Sequence, residues 1–201
     1  TTGFAWYEPG SSLSSIKTGT FKAAGDNAEE KAASLALQLR ELFYEEFTLQ
    51  EGSKGRRLVK PDFVVIERPL PNIMQFEKFG DDLIDGEIAS STVNPNQMLL
   101  PTYIGAAVAI IAAYRIPFET IAPQSWHKAY YGSGFKPPKK WVRIKRHPQG
   151  GKWQNDWKTP AIERARALRI TVKNADAAEA VGIAFAGAGL QTFRSMTARA
   201  A

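Results

Sequence analysis

The run Phe63-Val64-Val65-Ile66, bracketed by Pro61-Asp62 and closed by Glu67, constrains this chain more than any other stretch. An unbroken apolar run of this length, rich in β-branched residues, suits a strand covered on both faces rather than one with a wet side. Such a strand needs helices above and below it, which places the chain in the α/β class. The strand ends on an acid. Open α/β sheets bind their ligands at the carboxyl ends of their strands, so Glu67 is a candidate functional residue; a solvated pair with Arg68 is the alternative. At 201 residues and 44% hydrophobic content, the chain suits one domain spanning 1–201.

The flanking segments extend this pattern. Thr1 to Tyr7 alternates as a strand, Glu8-Pro9-Gly10-Ser11 is a turn, and Ser15 to Phe21 is a second strand, giving an opening hairpin. The chain starts in mid-strand with no Met, which suggests further residues upstream of Thr1. Ala28, Ala32, Leu35, Leu39, Leu42 and Phe43 recur at helical spacing, so an amphipathic helix is expected from Asn27 to about Phe47. Glu51 to Arg57 reads as a flexible loop, and 68–96, punctuated by Pro and Gly, as a long loop able to touch substrate. Tyr103 to Tyr114 reads as a buried helix with Pro101 in its first turn. Phe118 to Ala122 is a strand, Pro123 to Tyr131 a short helix, and Thr159 to Leu168 another. A small fraying tail is expected after the last helix.

Composition removes several functions. Without Cys there is no disulfide framework, zinc–thiolate site or thiol nucleophile, and the two His stand apart in sequence. No apolar run approaches the roughly 20 residues that cross a bilayer, and a soluble, cytoplasmic protein is expected. The formal charge is +6, and its location is informative. Between Lys136 and Lys158 stand eight Lys or Arg and one acid, so the remainder is near neutral. Three of the five Trp fall in the same window. Cations neutralise phosphates and exposed indoles stack on unpaired bases, so Lys136, Lys139, Lys140, Trp141, Arg143, Lys145, Arg146, Lys152 and Trp153 form a candidate nucleic-acid surface. Its Pro and Gly residues argue against regular structure there.

Near the C-terminus, Asp176 and Glu179 head an otherwise apolar helix. Residues three apart share a helix face, so both carboxylates can address one point, as metal ligands do. A helix cap by Asp176, completed by Glu179, is the competing explanation.

Read together, these segments resemble the RuvC-type Holliday junction resolvases of the ribonuclease H-like superfamily. Thr2-Gly-Phe-Ala looks like the segment just after the family's first catalytic Asp. Pro61-Asp-Phe-Val-Val-Ile-Glu67 looks like the strand carrying its second acid, and Asp176-Ala-Ala-Glu-Ala-Val-Gly-Ile-Ala is similar to its closing helix. Gly105-Ala-Ala-Val-Ala-Ile-Ile-Ala-Ala and Ile121-Ala-Pro match in character and order. The resemblance implies a mixed sheet flanked by helices, with a basic, Trp-rich insertion at about 132–158 and the family's first strand missing. It implies a metal-dependent endonuclease cutting phosphodiesters at four-way DNA junctions, in DNA recombination and repair. Mg²⁺ or Mn²⁺ would be held by Glu67, Asp176 and Glu179, with Lys128 and Lys158 near the scissile phosphate. Branched DNA is the implied partner, a homodimer the implied assembly, and a phage or prophage-like member the implied kind.

Three departures accompany it. The first catalytic Asp would precede Thr1, so residues 1–201 are expected to cleave poorly alone. Glu179 stands where Asp is usual, and the basic segment is longer than in bacterial members. Other readings are a ribonuclease H-like nuclease on another branched or hybrid substrate, a non-catalytic DNA-binding protein with a degenerate site, and an actin-like sugar or acetate kinase. The last lacks a later Gly-rich nucleotide segment.

Overall fold

The structure of the chain, a computed structural model, describes residues 1–48, 54–68, 75–76, 92–93, 95–143 and 150–200. Strands β1 (Thr2–Trp6) and β2 (Lys17–Phe21) form the expected antiparallel hairpin, with Thr2 opposite Phe21 and Trp6 opposite Lys17. Helix α1 (Ala28–Leu42) starts at Asn27, whose side chain accepts from the Glu30 N–H at 2.8 Å. The Glu30 carboxylate reaches back to the Asp26 N–H at 2.7 Å, a reciprocal arrangement that fixes the helix start.

The helix stops earlier than its periodicity predicts. Tyr44–Thr48 is strand β3, paired antiparallel with β4 (Lys54–Leu58), so the helix does not continue to Phe47 and 54–57 are not loop. Side-chain pairing across the ladder explains the switch. Glu45 faces Arg57 with a 2.8 Å ion pair, and Glu46 faces Arg56, which in turn pairs with Glu41. Opposite charges on facing strands favour this register.

Strand β5 (Val64–Glu67) pairs parallel with the later β8 (Phe118–Ile121). Between them, β6 (Gln75–Phe76) and β7 (Thr92–Val93) pair with each other, within the stretch expected to be loop; most of that stretch lies outside the described residues. Helix α2 (Pro95–Ala113) starts before the expected point and carries Pro101 internally. Its Ile110 and Ile111 pack in one apolar cluster with Leu39 of α1, C-terminal to the turn where proline forfeits a backbone hydrogen bond. The helix is only partly buried, with Ile111 1% and Leu100 53% exposed.

Helix α3 (Pro123–Tyr131) has the expected bounds. The basic segment departs from expectation, because β9 (Lys139–Arg143) and β10 (Gly151–Asn155) form an antiparallel ribbon. Facing Trp141 and Trp153 stabilise it, and Gly151 makes room: a Cβ there would lie 2.9 Å from the Trp141 ring. Helices α4 (Lys158–Ala167), α5 (Ala175–Ala188) and α6 (Gln191–Ala200) complete the chain. The expected fraying tail is therefore helical, with Phe193 ringed against Phe63 at 5.8 Å.

The arrangement is mixed α/β in layers. Along β5, Val65 points to the cluster built by Trp126, Val181 and Ala178, whereas Val64 and Ile66 point to Phe43, Ile111 and Ile116. The same alternation divides Ala5, and Tyr7 just past the strand, from Trp6 on β1. Helices α3, α4 and α5 thus cover one face, and α1 with α2 the other. Among the described residues β1 pairs only with β2 and β5 only with β8, so the sheet stands in two halves. A cavity of about 730 Å³ separates them, lined by both strands, by Leu35, Leu39 and Ile111, and by three acids.

Candidate active site and nucleic-acid interface

The acids at that cavity are Glu67, Asp176 and Glu179, each brought there by a different local cause. Parallel pairing of β5 with β8 fixes Glu67, and the Arg68 N–H continues the ladder onto the Ile121 carbonyl at 2.7 Å. Its carboxylate accepts from the indole N–H of Trp126 at 3.0 Å, while Arg68 turns to the Thr120 hydroxyl. A simple surface pair of Glu67 with Arg68 is therefore not formed. On α5, the cap is supplied by Asn174, whose side chain accepts from the Ala177 N–H at 3.0 Å. Neither Asp176 nor Glu179 is needed to start the helix, and both are left to face the cavity.

Electrostatics couples the three. Burial, then the charge of Glu67, and last that of Asp176, push the Glu179 carboxyl up to about 7, against the opposing effect of Lys158. Asp176 accepts from the Thr1 hydroxyl and lies 3.8 Å from the Lys158 ammonium. Gly3 lets β1 approach this point, since a Cβ there would stand 1.9 Å from the Asp176 carbonyl oxygen. Among the described residues no three His, Asp or Glu side chains form a ready-made metal cage. The donor chemistry nevertheless fits a hard cation: three carboxylate side chains around one cavity, one of them raised to about 7 by burial and the other two charges, a repulsion that a bound cation would relieve.

The two candidate lysines separate. Lys158 joins the acids, whereas Lys128 lies on the rim of a second cavity with Gln124, His127 and Trp157. Lys158 also begins α4 immediately after the ribbon. Asp156 ties these parts together: its N–H donates to the Pro138 carbonyl at 2.8 Å, and its carboxylate accepts from the Lys158 and Thr159 N–H groups.

The ribbon alternates cations with indoles. Lys139, Trp141 and Arg143 share one face with Trp153, and Lys140 and Lys152 occupy the other. Trp141 and Trp153 are 43% and 63% exposed, their rings 5.5 Å apart at 70°. Lys136 is exposed just before the ribbon, and Lys145, Arg146 and His147 lie outside the described residues.

Sequence reasoning missed Trp126, which anchors Glu67, and Trp157, which stacks flat on His127 at 3.7 Å and 9°. The signal for Trp126 was its helical position beside an apolar strand end. None existed for the Trp157 stack, which joins residues 30 positions apart.

No protein-family model and no curated protein sequence matches the chain. A solved structure does. The Thermus thermophilus RuvC structure is similar over 98% of this chain and 88% of that one, at 14% identity and a TM-score of 0.49. The functional reading rests on the residues, not on this likeness.

Proposed function

We propose that the chain is a metal-dependent, structure-selective endonuclease that hydrolyses phosphodiesters at four-way DNA junctions. One observation carries the proposal: three carboxylates line one cavity, and one of them, Asp176, lies 3.8 Å from Lys158, which a single capped turn connects to a basic, indole-bearing ribbon. Glu67, Asp176 and Glu179 would hold Mg²⁺ or Mn²⁺. Bound there, the metal would supply an activated water and a charge stabilising the leaving 3′ oxygen.

The chain's own groups do the rest. Trp126 holds Glu67 in place through its indole N–H. Lys158, beside Asp176, provides positive charge where a phosphate approaches the acids. The ribbon's cations track the phosphate backbone and its indoles stack on unpaired bases, which favours branched over continuous duplex DNA. A symmetric homodimer would present two such sites to the two cut positions of a junction.

The test is incubation of the protein with a labelled four-way junction and a matched linear duplex, in Mg²⁺ or EDTA. Metal-dependent nicking of the junction alone supports the proposal. Binding without nicking would establish the second reading, a DNA-binding protein with a degenerate site, which the lack of a ready-made metal cage among the described residues favours.

A further inference from the structure

We propose that the pocket walled by His127, Phe135 and Trp157 receives one unstacked nucleobase of the DNA strand that crosses the acids. The nuclease reading supplies the strand's path; the pocket's own geometry supplies the base. The cavity is about 330 Å³. That is at the lower end of the roughly 300–1,000 Å³ found for small-molecule sites, which suits a single base and not a duplex.

Its walls are aromatic. His127 and Trp157 lie face to face, and Phe135, 41% exposed, is set 6.1 Å from Trp157 at 46°. Burial holds the His127 imidazole down to about 4, so the stack is uncharged at neutral pH. Gln124 and Ser133 add amide and hydroxyl groups suited to a base edge, and Lys128 adds a cation for the attached phosphate. The loop that closes the pocket turns at Gly132 and Gly134, with φ of 96° and 84°. A Cβ on either would meet nothing within 4 Å, so these glycines serve the turn and not packing.

Position makes the pocket part of the same surface. Trp157 sits between Asp156, which caps α4, and Lys158, which pairs with Asp176. His127, stacked on Trp157, follows Trp126, the residue that donates to Glu67. Each ring of this stacked wall is thus one residue from a group paired with one of the acids, and Phe135 leads directly into Lys136 and the ribbon. A strand held on the ribbon with a phosphate at the acids has this pocket beside its path.

The experiment is equilibrium fluorescence in EDTA, so that cleavage plays no part. The probes are a short single-stranded DNA carrying one 2-aminopurine, and the same strand with an abasic position instead. Binding of the first should quench its fluorescence, and the abasic strand should bind more weakly. Phe135→Ala and Trp157→Ala should each weaken binding about tenfold, the order expected for removal of one base–aromatic stack, and reduce the quenching. Lys139→Ala should weaken binding while leaving the quenching at saturation intact. If Trp157→Ala loses its circular dichroism, the exposed Phe135→Ala decides. Unchanged affinity and quenching in Phe135→Ala, or equal binding of the abasic strand, would overturn the pocket. Quenching without metal-dependent nicking would uphold the pocket and remove the nuclease; nicking without quenching would do the reverse.

Discussion

At the residue scale, Glu179 reports on the whole acidic cluster. Its carboxyl is raised to about 7, so the folded protein holds a proton there that the unfolded chain releases near 4.5. Stability from this group is therefore present at low pH and declines as pH rises from about 4.5 through about 7. In EDTA, Glu179→Gln should raise the melting temperature at pH 8 and leave it nearly unchanged at pH 4; an equal shift at both would place the cause elsewhere. Mg²⁺ should raise the wild-type melting temperature at pH 8 and not that of Glu179→Gln with Asp176→Asn. His127 has the opposite dependence. Its folded value is lowered from 6.5 to about 4, so the stability it adds is complete above about 6.5 and declines as pH falls toward 4. The melting temperature of His127→Phe should therefore fall less than wild type between pH 7 and pH 5, measured in one buffer series.

At the element scale, β1 meets α5 through Gly3. A methyl group there would collide with the Asp176 backbone carbonyl, which has no rotamer to escape through. Gly3→Ala should cost about 1–3 kcal/mol in urea denaturation. A loss below about 0.5 kcal/mol, within the range of an ordinary surface change, would show that β1 does not sit so close to α5. Elements with a local signal of their own were legible in the sequence: the alternating, turn-linked β1–β2 hairpin, the apolar β5 and α5, β8, and α3 with its leading Pro123 all lie where the residue pattern put them. The β3–β4 and β9–β10 ribbons were not, because polar residues form both. Their registers depend on cross-strand pairs, Glu45 with Arg57 and Trp141 with Trp153, that periodicity cannot show. The acids were legible by type and position. What the sequence hid was their support, since the Trp126 bond to Glu67 spans 59 residues and the Asn174 cap competes locally with Asp176 for the same role.

At the scale of the whole molecule, charge is divided by task. Acids gather at the gap between the half-sheets, cations on the ribbon, and Asp156 to Lys158 join the two. The joint predicts that binding and cleavage separate by mutation. Replacing Lys139, Lys140 and Arg143 by Ala should lower junction affinity and flatten its dependence on salt, by about one logarithmic unit of slope for each phosphate no longer neutralised. Asp176→Asn should leave both nearly untouched. The most direct measurement is the single-turnover cleavage rate of a saturating, prebound four-way junction in Mg²⁺, for the wild-type protein and these two variants. The account predicts near-normal cleavage by the ribbon variant once it is saturated, and a loss in Asp176→Asn of at least about a hundredfold, the upper end of what removing even an outer-shell partner of a metal ligand costs. Cleavage by Asp176→Asn at the wild-type rate would contradict it.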